Sequence, residues 1–146
     1  MDFRKQLEKF EVVEVKDGRK MIKYEEQNIH FLIRIFPEFE EEIRGEFEVL
    51  GEFLAHCVFG NVLNSKVVEF LKREDYLENE VLHRIFGMYE DMAVIGDKEV
   101  QNLLQVTLLE YLWDEKITYE RALEIMGIGT RAIWEYIHEY ILIPTE

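Results

Sequence analysis

Residues 97–113 read Asp97-Lys98-Glu99-Val100-Gln101-Asn102-Leu103-Leu104-Gln105-Val106-Thr107-Leu108-Leu109-Glu110-Tyr111-Leu112-Trp113. The apolar members, Val100, Leu103, Leu104, Val106, Leu108, Leu109, Tyr111, Leu112 and Trp113, recur at spacings of both three and four. The helix they predict therefore carries apolar side chains on almost every face. Such a helix needs neighbours all round, which makes it the expected centre of the fold, with Leu108 and Trp113 nearly fully buried. Gly96 and Asp97 mark its start, where the aspartate carboxylate suits the free N–H groups of the first turn and the positive end of the helix dipole. Asp114 and Glu115 close it.

Helical periodicity continues on both sides. Ile29, Leu32, Ile33 and Phe36 form one apolar face, and Pro37 ends that helix and begins the next, whose first turn is rich in acids. Gly45 and Gly51 are candidate breaks, and Gly60-Asn61 reads as the stop after the apolar run 53–59. Asn64-Ser65 reads as the cap of a further helix carrying Val67, Val68, Phe70 and Leu71. Leu77 to Ala93 form another helix, in which Gly87 suggests the close approach of a neighbour. Thr118 is the expected cap of a short helix that ends at Gly127-Ile128-Gly129, and an aromatic helix from Ala132 to Ile141 follows. The expected fold class is mainly α: a single-domain antiparallel helical bundle or a short helical-repeat-like stack.

The amino-terminal part differs. Phe3, Leu7 and Phe10 lie on one side of a short amphipathic segment, and β-branched residues flank Lys16-Asp17-Gly18-Arg19, a hairpin signal. Residues 1–26 hold seven acids and seven bases, whereas the rest of the chain holds 24 acids and 10 bases. The expected division is 1–26, an N-terminal helix plus β-hairpin appendage, and 27–146, an acidic helical domain. A hairpin with an open edge must pack on the helices or pair with a second copy, which opens the way to a homodimer.

A 146-residue chain with 48% hydrophobic residues, 8 Gly and 2 Pro is long and apolar enough to bury a core, and it is not of disordered composition. Its formal charge of −14 opposes binding to nucleic acid backbones and anionic membranes, and favours a basic protein as partner. No apolar run reaches membrane-spanning length and no signal peptide opens the sequence, so a cytoplasmic protein is expected. Cys57, the one cysteine, lies in an apolar run and is expected to be buried and unreactive in a reducing compartment.

Few residues suggest catalysis. Glu48, Glu52 and His56 follow at steps of four, which resembles part of a metal site, but no second Glu-x-x-His or His-x-x-x-His pair completes it. Ser65, the only serine, reads as a cap, and Cys57 and His56 point about 100° apart on a helix, too divergent to pair as nucleophile and base. Gly127-Ile128-Gly129 lacks the preceding strand and following lysine of a phosphate loop. No catalytic residue, metal or cofactor is expected.

Four stretches together point to a family: Phe36-Pro37-Glu38-Phe39, then His56-Cys57-Val58-Phe59-Gly60-Asn61-Val62-Leu63-Asn64, then Gln105 to Leu112, then Met126-Gly127. From about Ile33 to Ile141 the chain resembles an uncharacterised bacterial family of small acidic all-helical proteins, similar to the immunity proteins that accompany polymorphic toxins. The resemblance implies a non-enzymatic protein-binding protein, an immunity protein that neutralises a cognate, possibly basic, bacterial toxin. Glu38, Glu41, Glu42, Glu46, Glu48 and Glu52 are the nominated partner-binding residues, although a merely solvated helix face explains the same run of acids. The alternatives are an acidic nucleic-acid mimic inhibiting a DNA-binding or defence protein, and a small helical metal protein or enzyme using His56.

Overall fold

The computed structural model describes residues 14–16, 19–22, 29–50 and 55–141, and the fold is mainly helical. Helix α1 (Ile29–Ile35) runs into a 3₁₀ turn, Pro37–Phe39, with proline at its start. Helix α2 (Glu40–Leu50) follows, its first turn holding Glu40, Glu41 and Glu42 against the helix dipole. Next come α3 (Ala55–Lys72) and α4 (Glu80–Ile95). The helical rod α5 opens as α-helix (Lys98–Asn102), widens to π-helix (Leu103–Leu109) and tightens to 3₁₀ (Glu110–Asp114). Helices α6 (Lys116–Ile125) and α7 (Ile128–Tyr136) complete the body, and α7 continues as a π turn, Ile137–Ile141.

The core is one cluster. Leu32, Phe36, Ile43, Phe59, Leu63, Leu82, Ile85, Tyr89, Leu104 and Leu108 all lie within it. The expected helix start at Asp97 is met, its carboxylate accepting from Val100 N at 2.8 Å, and the structure adds a second cap, Asn79 Oδ1 accepting from Leu82 N at 2.9 Å.

Rod α5 is not wrapped on every side. Val100, Leu103, Leu104, Leu108, Leu109 and Leu112 are buried, but Val106 and Tyr111 are each 42% exposed and Trp113 is half-buried. The reason is its winding. Leu103-Leu104 and Leu108-Leu109 are five residues apart, the step of the i→i+5 hydrogen bonds of a π-helix, so both pairs face the core and the residues between them turn outward.

Four other expectations are corrected. Gly60-Asn61 does not stop a helix and Asn64-Ser65 does not start one, because α3 runs through both. A Cβ on Gly60 would lie 3.2 Å from Thr107 Cγ2, so this glycine admits α5 to close contact, and the packing offsets its helix cost of about 1 kcal/mol. Gly87 has no such role, since a Cβ there would meet nothing within 4 Å. Helix α6 starts two residues before Thr118, whose buried hydroxyl donates to the carbonyls of Leu112 (3.0 Å) and Glu115 (2.7 Å) instead of accepting as a cap. Cys57 is exposed, because the continuous α3 turns Val58, Phe59, Val62 and Leu63 to the core and leaves Cys57 outside.

At the amino-terminal end, strands β1 (Glu14–Lys16) and β2 (Arg19–Met21) are assigned as an antiparallel pair. Asp17 and Gly18, the turn on which the hairpin expectation rests, lie outside the described residues, as does the segment 1–13. Ile22 is buried, and its backbone bonds to Ile95 O at 2.8 Å and Asp97 N at 2.9 Å, tying this end to the junction of α4 and α5.

Candidate functional site

The carboxylates of α2 and the turn before it divide by what they touch. Glu38 takes both oxygens to Arg84 Nη1, at 2.6 and 2.8 Å, and this hydrogen-bonded pairing, working against desolvation, holds its carboxyl below the ordinary value. Glu42 pairs with Lys66 at 2.6 Å, and Glu46 accepts from Asn61 Nδ2 at 3.0 Å. Glu40, Glu41 and Glu48 are exposed and enter no ion pair among the described residues. Val49, 84% exposed, stands beside Glu48 as an apolar side chain on the same ridge. Glu52 lies outside the described residues. The ridge thus contains three acids that already serve the fold and three that face solvent.

The cations are consumed internally to a greater extent. Lys66, Lys72, Arg73, Arg84 and Lys116 sit in ion pairs with the chain's own glutamates. Arg121 donates to the carbonyls of Leu71 and Arg73, and Arg131 to that of Leu123. An approaching molecule therefore meets mostly carboxylate.

His56 is not grouped with Glu48, which belongs to a different helix. Its Nδ1 is hydrogen-bonded to Thr107 Oγ1, across the α3–α5 contact. Asn64 Nδ2 donates to Thr107 O at 3.0 Å, and these residues, with Asn61, Ser65 and Tyr111, line an open pocket of about 410 Å³. Among the described residues no group of three or more His, Cys, Asp or Glu is placed to hold a metal ion. The sequence reading missed this pocket. Asn61 and Asn64 were assigned to helix ends, and the useful signal was Thr107, a polar residue inside an otherwise apolar run, together with polar positions four to five residues apart on α3.

One further carboxylate is turned inward. Glu90 on α4 accepts from Gly129 N (2.8 Å), Thr130 N (2.9 Å) and Thr130 Oγ1 (2.8 Å) at the start of α7. Burial pushes its carboxyl up, but these hydrogen bonds outweigh burial and the net shift is downward. A Cβ on Gly127 would come within 2.5 Å of Glu90 Oε1, which explains the Gly127-Ile128-Gly129 turn: it makes room for the protein's own carboxylate.

The model of a domain of unknown function, DUF7674, matches residues 29–140. The chain belongs to the DUF7674 family. The matched span takes in α1 to α7 and excludes β1 and β2, so the ridge, the His56 pocket and the Glu90 junction all belong to the family domain. Neither the curated proteins nor the solved structures contain a match. No described helix is long and apolar enough to cross a membrane.

Proposed function

We propose that this protein is a non-enzymatic protein-binding protein, an immunity protein that neutralises a cognate bacterial toxin by covering its active site or docking surface. The observation that carries the reading is the imbalance of exposed charge: the cations of the helical body are largely tied to its own acids and carbonyls, while Glu40, Glu41 and Glu48 face solvent beside the exposed Val49 with no ion pair among the described residues. A basic partner is drawn to such a surface at long range, and a few central side chains then supply the affinity. In this reading Glu38, Glu41, Glu42, Glu46, Glu48 and Glu52 lie at the interface. The protein acts in the cytoplasm, and a second copy can pair with it through the β1 and β2 strands.

The test uses the product of the gene immediately upstream, purified and mixed with this protein. A stoichiometric complex by light scattering, weakening as salt is raised, is the expected result. Absence of any complex at low salt counts against the proposal. A gradual loss of binding as many acids are neutralised one by one, with no dominant position, would favour the nucleic-acid mimic instead.

A further inference from the structure

The pocket between α3 and α5 is lined by polar side chains of α3 together with Thr107 and Tyr111 of α5. Asn61 Nδ2 donates to Glu46 at the surface and Asn64 Nδ2 donates to Thr107 O. A visitor meets the amide oxygens of Asn61 and Asn64 as acceptors, the second N–H of each amide as a donor, the Ser65 hydroxyl, which can do either, and the Tyr111 side chain, 42% exposed. Among the described residues of the lining there is no lysine or arginine. Asn61 also joins the pocket to the acidic ridge, since the group that accepts from it is Glu46 of α2. The floor is α5's π-helical segment, the kind of widened turn that often marks functional positions. The Glu46 carboxylate hydrogen-bonded to Asn61 disfavours an anion and favours a cation, to which the two amide oxygens and the Tyr111 ring are available. They match a planar donor that has five N–H groups, carries positive charge and stacks on rings.

We propose that this pocket receives an arginine side chain from a protein partner, its guanidinium donating to the amide oxygens of Asn61 and Asn64 and lying against the Tyr111 ring, with Glu46 at the rim. The inference rests on the protein-binding reading above and names the chemistry of the contact. It separates two roles: the ridge attracts a basic surface from a distance, and the pocket selects arginine over lysine at contact.

The experiment titrates the full-length, isotope-labelled protein with a short blocked peptide containing a single arginine, and in parallel with the same peptide carrying lysine. The arginine peptide should saturably shift the side-chain amide signals of Asn61 and Asn64 and the Thr107 N–H, and the lysine peptide should bind about threefold or more weakly. Asn61→Lys, an exposed change that puts a cation in the pocket, should weaken the arginine peptide about tenfold, while Glu78→Lys beyond the far end of α3 should change it less than about twofold. Unmoved Asn61 and Asn64 signals, equal binding of the two peptides, or an Asn61→Lys protein that binds like the parent overturns the assignment. Circular dichroism of both variants checks that they remain folded. The two readings fail separately. If the upstream product binds the parent and Asn61→Lys proteins equally, the pocket assignment falls and protein binding stands; if the peptide titrates the pocket but no complex forms, the reverse holds.

Discussion

Glu90 and the ridge of α2 use the same side chain for opposite purposes. Glu90 on α4 makes three hydrogen bonds to the start of α7, whereas Glu40, Glu41 and Glu48 make no ion pair among the described residues and face water. Glu38 is intermediate: exposed, but clamped by Arg84. A net charge therefore says little until each carboxylate is assigned a neighbour. Among the described residues, the carboxylate with the most hydrogen bonds to backbone is a single Glu next to Asp91, outside the conspicuous run at 38–48, whose paired members hold only side chains.

Five variants sharpen the contrast, with denaturant unfolding as the common measurement. Leu108→Ala sets the upper scale: Leu108 is fully buried, and its truncation should cost about 2 to 5 kcal/mol through transfer and cavity terms. Glu90→Ala should cost about 2 kcal/mol at neutral pH, because it leaves the Gly129 and Thr130 donors without their charged acceptor. Its pH dependence has a definite sign. The folded carboxyl lies below the ordinary value of 4.5, so the stabilisation is fully present above that value and is lost as pH falls through the lowered one. The parent and Glu90→Gln stability curves should converge in acid. Glu38→Gln should cost only about 0.5 kcal/mol, less at high salt, because the Arg84 pair is solvent-screened. Glu41→Gln with Glu48→Gln should stay within about 0.5 kcal/mol of the parent. A larger loss from the ridge pair than from Glu90→Ala would invert the comparison.

The sequence made the mainly helical fold and the importance of residues 97–113 legible, because long apolar periodicity survives whatever the neighbours do. It misjudged the winding of α5: Leu pairs five apart were counted as α-helical, so Val106, Tyr111 and Trp113 were expected inside. It broke α3 at Gly60-Asn61, where local propensity yields to tertiary packing against Thr107. That false break also sent Cys57 into the core. Native Cys57 should accordingly react with a thiol reagent without prior denaturation. Of the candidate site, the acids could be read off directly, but their division into paired and unpaired could not, since Arg84 is 46 residues from Glu38 and Asn61 is 15 from Glu46.

The central claim is that the unpaired ridge acids work on an outside partner. The most direct measurement is growth of cells expressing the product of the upstream gene, alone and together with this protein. The account predicts arrest in the first case, recovery in the second, and markedly poorer recovery with Glu40, Glu41 and Glu48 all changed to Gln, at unchanged level of folded protein. Full recovery with that variant, or no effect of the parent protein on an arrested culture, would contradict it.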